Sequence, residues 1–264
     1  MPGASRLLRD LLCLLGVAAL CWLYHVFARV MPTVGLAAVW ASFATLIGMA
    51  LLHRARIRRR AFLAVYVAET SALQHWLRGG VLLALRPLLL GLLLGLLLMI
   101  ALARSGNPWT WAGLILSGPA LVLLRAWWLA RLAGHAGALY LPLLSWRAAT
   151  LPVGTVLTVA LAWLALQQAY PDFSAVSLER AVWHLVDREQ ARSGPAEVLL
   201  QAAAAKDGLR LWLAQQLMPA PATSLVQLLG WLLVLAEEVL FVWSYLLMCH
   251  GSLLGAGTID RSSY

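Results

Sequence analysis

Two adjacent carboxylates, Glu237 and Glu238, lie near the middle of a long apolar segment, residues 225–248. This segment has the length and composition of a membrane-spanning helix, and at about 1.5 Å per residue Glu237 would lie roughly 18 Å from its end. A charge at that depth costs about 2.5–3.5 kcal/mol on insertion scales, and such residues are commonly functional. The sequence therefore predicts that other helices supply partners, water or protons for this pair.

Three kinds of chemistry are open to the two carboxylates. They are about 100° apart around a helix, so at least one is expected to face other helices. In a structural interpretation, Arg86 or Arg125 from another predicted span pairs with a glutamate and offsets its desolvation. In a transport interpretation, a carboxylate lines a hydrated path for protons or cations. In a catalytic interpretation, the pair activates water.

The residues AEEVLFVW, at positions 236–243, resemble the EExxFR stretch of the CAAX-protease-like intramembrane peptidases. The likeness is confined to this stretch. Val242 stands where that family has arginine, and His250 is the only histidine downstream of the glutamates. The resemblance implies an intramembrane peptidase as a remote alternative, and no catalytic role is transferred to residues of this chain.

Other catalytic and cofactor chemistry has no support in the sequence. The six histidines are scattered and neither CxxC nor HExxH occurs, so we expect no metal site. We find no nucleophile elbow, no phosphate-binding glycine loop and no ATPase motif. The sequence therefore predicts no enzymatic activity, no catalytic residues and no cofactor.

Composition indicates a membrane protein. Of the 264 residues, 62% are hydrophobic and 12% are charged, which is about half the charged fraction of a typical soluble domain. The net charge of +9 comes mainly from arginines beside apolar segments, the pattern that encodes membrane topology. No basic stripe belongs to a fold that reads bases, so nucleic-acid binding is not expected. Heavy use of arginine, alanine and leucine suggests a bacterial genome rich in G and C.

The apolar segments predict an all-α, polytopic membrane helix bundle with about six transmembrane helices, an extracytoplasmic helical hairpin and a cytoplasmic interfacial helix. The predicted organisation has four parts. They are a membrane domain over residues 1–169, which holds spans one to five, the hairpin over 170–223, the sixth transmembrane helix over 224–248 and a cytoplasmic tail over 249–264.

The segment HRARIRRR, residues 53–60, is the strongest topology signal. Its arginines are Arg54, Arg56, Arg58, Arg59 and Arg60. They predict a cytoplasmic loop of a bacterial inner-membrane protein whose two termini are also cytoplasmic. A site for anionic lipid is the alternative interpretation.

Two neighbouring segments are apolar but interrupted. Residues 61–78 predict the interfacial helix, for which partner binding is the alternative. Residues 133–150 are too short and broken to span twice, and they predict an interfacial or partly re-entrant segment.

Several features suit protein contacts within the bilayer. Gly91 and Gly95 share one face of the third span, which allows another helix backbone to approach closely, and packing within the chain is favoured over a dimer contact. With the interfacial helix and the hairpin, they predict a non-enzymatic subunit or scaffold of a membrane-embedded assembly. Its partners would be the lipid bilayer and other membrane proteins. The alternative is an ion- or proton-coupled channel or transporter that uses Glu237 and Glu238.

Overall fold

The computed structural model describes residues 4–66, 81–135, 137, 140–167, 171–173, 175–217 and 225–257. Over these residues the chain forms eight α-helices and no strand. The helices are α1 (Ala4–Phe27), α2 (Thr33–Tyr66), α3 (Val81–Ala103), α4 (Pro108–Leu132), α5 (Leu141–Gln167), α6 (Leu178–Val186), α7 (Gly194–Leu217) and α8 (Leu225–Gly255). Six of them are long and apolar enough to cross a membrane. The predicted all-α membrane bundle is confirmed.

Helix α8 is the central helix of the bundle. It contacts α1, α2, α3, α5 and α7, and every residue from 244 to 251 is buried. A helix that is buried on all sides is expected to be mainly apolar, and apart from Ser244 and His250 this part of α8 is. The buried Tyr245 hydroxyl donates to the carbonyl oxygen of Leu114 on α4 at 2.9 Å. The other spans are therefore positioned by what they contact on α8.

Glycines of α3 and α8 allow the backbones of these two helices to lie close to the backbone of α2. A Cβ added at Gly91 of α3 would lie 2.7 Å from the carbonyl oxygen of Ala44, and one at Gly95 would lie 3.1 Å from the Ala44 nitrogen. On α8, a Cβ at Gly251 would overlap the carbonyl oxygen of Leu46. Small residues thus allow α3 and α8 to pack directly on the backbone of α2.

The predicted hairpin is present as α6 and α7. Ser177 caps α6 by accepting a hydrogen bond from the backbone of Arg180. Leu185 of α6 packs against Ala204 of α7 in a small apolar core, while Gly208 lets the two helices approach closely. Because α7 also contacts α2, α3 and α8, it lies between α6 and the membrane bundle.

Helix α2 is longer than predicted. It runs without interruption to Tyr66, so the predicted loop HRARIRRR is helical and residues 61–66 continue α2 instead of starting an interfacial helix. The segment 53–66 contains no glycine or proline, and arginine and alanine are good helix formers. The rest of the predicted interfacial helix, residues 67–78, lies outside the described residues.

Two further boundaries differ from the sequence prediction. Helix α5 begins at Leu141, so the prediction of an interfacial segment was wrong for residues 141–150. Pro142 suits the first turn of a helix, where no backbone donor is lost. Helix α8 continues to Gly255, and the first seven residues of the predicted tail are therefore helical.

The bundle has two chemically different ends. We call the end that contacts α6 and α7 the hairpin end, and the end that carries Arg54 on α2 the arginine end. From Glu237 to Gly255, α8 rises about 27 Å, which is close to the ~30 Å hydrocarbon thickness of a bilayer. Glu237 and Gly255 are thus separated along α8 by about the thickness of the apolar layer.

Candidate functional site

Glu237 and Glu238 form ion pairs with two cationic side chains of α7. Lys206 forms an ion pair with the Oε1 atom of Glu237. Arg210 places its Nη2 atom 3.0 Å from Oε1 of Glu238 and its Nη1 atom 3.7 Å from Oε2 of Glu237. Residues four apart lie on one helix face, so α7 presents both cations to α8 together. This spacing allows α7 to neutralise two carboxylates that diverge around α8.

The environment of the carboxylates differs from the predicted deep burial in lipid. The side chains of Glu237 and Glu238 are 27% and 12% exposed. They lie at the hairpin end, because they contact Lys206 and Arg210 of α7. Since α8 has 31 residues, distance from its first residue does not measure depth in the bilayer. Their partners are Lys206 and Arg210, so the predicted pairing with Arg86 or Arg125 is corrected.

Arg125 has a different partner. Its Nη1 atom lies 3.0 Å from Oδ2 of Asp10, which joins α4 to α1, and both side chains are nearly buried. Asp10 lies just before the predicted first span and was not considered as a partner. Arg86 is exposed on α3. The four residues predicted as one intramembrane charge site therefore occupy three separate places.

The ion pairs at the hairpin end extend into a larger network. Arg104, which follows α3, places Nε 2.8 Å from Oδ2 of Asp207 and pairs with Glu189. Arg29 also contacts Glu189 at 3.4 Å, and Lys206 lies 3.5 Å from Asp207. We call the whole set the charge network. Its members are Arg29, Arg104, Glu189, Lys206, Asp207, Arg210, Glu237 and Glu238.

The charge network is electrically balanced and links distant parts of the chain. It contains four cations and four carboxylates. It connects α8 and α7 to the α6–α7 connection, to the end of α3 and to the α1–α2 connection. Of these eight residues, the sequence pattern indicated only Glu237 and Glu238. The clustered charges at residues 206–210 were the signal that marked α7 as their partner.

A cavity of about 570 Å³ lies beside the charge network. Its charged wall is formed by six of the eight network residues, and its apolar wall includes Leu161, Leu164 and Phe241. The volume is typical of sites for small molecules. Because both signs of charge line it, the cavity suits a zwitterionic or dipolar molecule. In the part of the chain described, no group of three His, Cys, Asp or Glu side chains is arranged to hold a metal ion.

The geometry gives no support to the peptidase alternative. His250 lies twelve residues beyond Glu238 on the same helix, which is about 18 Å along the axis. It stacks on Trp146 near the arginine end, with ring centroids 4.7 Å apart. The only downstream histidine and the two carboxylates therefore belong to different sites.

No family model, no curated protein and no solved structure matches this chain. Its six apolar helices make it a multi-pass membrane protein. Any finer function must be inferred from its own residues and contacts.

Replacing Arg104 with glutamine should loosen the hairpin. The change removes the contact to Asp207 and leaves Glu189, whose side chain is 6% exposed, with only the longer contact to Arg29. Losing hydrogen bonds to charged groups is expected to lower the free energy of unfolding by about 2–3 kcal/mol. Hydrogen exchange of the α7 amides should accelerate.

Arg29→Gln is the matched control for this experiment. The Arg29 side chain is 68% exposed, and exposed pairs contribute about 0–1 kcal/mol. Equal protection of α7 in the two variants would show that Arg104 does not hold the hairpin.

Proposed function

We propose that the protein is a non-enzymatic subunit or scaffold of a membrane-embedded assembly, and that its role is to hold the α6–α7 hairpin in a fixed position at the hairpin end. The observation that carries this proposal is the charge network. Its cations and carboxylates pair with one another across five chain segments. We call these ion pairs the clamp, because they hold the hairpin against the bundle. Their charges neutralise one another without a bound substrate, which favours a structural role.

Apolar contacts add to the clamp. Ala196 and Leu199 of α7 belong to the same buried cluster as the spans, while the opposite side of α7 packs on α6. The hairpin therefore rests on the bundle through both apolar and charged contacts. Its outer helix α6 leaves Trp183 53% exposed, and exposed aromatic residues are enriched at protein interfaces. This favours a protein partner at the hairpin.

The proposed location is the inner membrane of a bacterium with the arginine end in the cytoplasm. Arg54 and the four arginines that follow it extend α2 at this end, and the positive-inside rule assigns such clusters to the cytoplasmic side. Since α1 begins and α8 ends at the arginine end, both termini would be cytoplasmic.

The test is a combination of purification and cross-linking. Purified in mild detergent, the chain should carry a second protein in a fixed ratio. A photoreactive residue replacing Trp183 should form a discrete protein adduct in native membranes. The same residue replacing Trp163, which is 62% exposed on α5, should react mainly with lipid. A lone monomer that gives no adduct at position 183 would contradict the proposal.

The second candidate is an ion- or proton-coupled channel or transporter, because Glu237 and Glu238 line a cavity at the hairpin end. In this case Glu237→Gln or Glu238→Gln should alter flux in proteoliposomes while the protein stays folded. A clamp gives the opposite result: no flux above protein-free vesicles, and a lower melting temperature for Glu238→Gln. Combining Glu238→Gln with Arg210→Gln should restore part of that stability.

A further inference from the structure

Two arginines at the arginine end, Arg54 and Arg147, belong to helices α2 and α5. Arg54 on α2 is half-buried and Arg147 on α5 is exposed. Each directly follows a residue, His53 or Trp146, whose ring contacts His250 of α8. Across the described segments, no carboxylate lies within ion-pair distance of either residue. The Nε atom of Arg54 is buried and has no hydrogen-bond partner among the residues that the structure describes. Arg125 near the same end is paired with Asp10, whereas Arg54 has no carboxylate partner within the described part of the chain.

Two buried rings beside these arginines, those of His250 and Trp146, each carry a buried ring nitrogen. His250 and Trp146 are each 1% exposed, and they stack at a centroid distance of 4.7 Å. Within the described ranges, the Nδ1 atom of His250 and the Nε1 atom of Trp146 have no hydrogen-bond partner. His53 contacts the His250 ring edge to face at 5.7 Å. Arg54 follows His53 directly on α2.

An anionic group would suit this set of residues. A buried polar atom without a partner is destabilising, and a desolvated cation is more so. The planar guanidinium of arginine matches a phosphate group with two parallel hydrogen bonds. A topology signal accounts for the number of arginines on α2. It does not account for the burial of the Arg54 Nε atom.

We propose that Arg54 and Arg147, with the His250–Trp146 stack beside them, form a binding site for a phosphate group at the arginine end. The arginines bind the phosphate oxygens, and the two rings and His53 form the wall of the site. At a membrane boundary, the phosphate can belong to an anionic phospholipid or to a small solute in the adjoining water. Both sources present the same group to the arginines.

Binding by the purified full-length protein tests the proposal, with phosphatidylglycerol and inorganic phosphate as separate probes. Arg54→Gln and Arg147→Gln should each weaken the binding of the recognised probe by about tenfold or more. Arg56→Gln is the matched control, because it removes one charge from an exposed position on the same helix. It should weaken binding of the lipid about fivefold at most, the contribution of one charge near an anionic surface.

The two probes separate the sources of phosphate. Tight binding of phosphatidylglycerol that inorganic phosphate does not displace supports a lipid site. Binding or displacement by inorganic phosphate supports a solute site. If Arg54→Gln and Arg147→Gln bind both probes as well as Arg56→Gln does, the proposal is overturned.

A melting experiment keeps the test decisive if a variant is poorly stable. In neutral detergent without phosphate, Arg54→Gln should melt at or above the temperature of the unaltered protein, because an uncompensated charge is removed. With phosphatidylglycerol or phosphate present, the order should reverse. A variant that is destabilised equally with and without both probes would show that Arg54 has a purely structural role.

Discussion

Replacing Gly251 with alanine is expected to lower the free energy of unfolding by about 3 kcal/mol or more. A Cβ at this position would overlap the carbonyl oxygen of Leu46 and lie 3.0 Å from the Leu46 Cα. These are backbone atoms, so no side chain can rotate away to make room. Helices α2 and α8 would have to separate, and the buried contacts between them would be lost along their shared length.

Thermal unfolding in detergent measures this effect, and Gly16→Ala provides the control. Gly16 also lies inside a predicted span, but a Cβ there would meet nothing within 4 Å. This variant should be neutral or more stable by up to about 1 kcal/mol, because alanine is the better helix former. Equal melting temperatures for the two variants would mean that α2 and α8 do not approach as closely as described.

Replacing Asp10 with leucine should destabilise the protein by about 3–5 kcal/mol. The change leaves the Arg125 guanidinium, whose side chain is 8% exposed, without its carboxylate partner between α1 and α4. Solvent can compensate this charge only slightly, because the site is nearly closed. Removing both members of a buried pair is usually far less harmful than removing one. Asp10→Leu combined with Arg125→Leu should therefore recover most of the lost stability.

The comparison of single and double variants by denaturant unfolding decides this point. Glu179→Leu, which removes an exposed acid from the first turn of α6, controls for the general effect of losing a carboxylate and should change stability by less than about 1 kcal/mol. If the double variant is no more stable than Asp10→Leu alone, the two side chains do not act as a compensating pair.

The sequence alone determined the class of this protein. Hydropathy is a property of consecutive residues, so the membrane spans could be recognised without knowing how they pack. The hairpin was equally local, since Ser177 and the glycine-proline pair at Gly194 mark the starts of two amphipathic helices. The spacing of Gly91 and Gly95 likewise indicated a face for close packing, because four residues return a helix to nearly the same side.

The charge partners were decided only by the tertiary structure. Glu237 pairs with a residue 31 positions away, and Arg125 with one 115 positions away. Such pairs form where helices cross, and the crossing depends on packing along the whole bundle. The position of Glu237 and Glu238 beside α7 was also decided in this way. Helix α8 contacts α4 through Tyr245 and packs on α2 at Gly251, near its far end. Local patterns determine which segments become helices, whereas the fit between helices determines which charges meet.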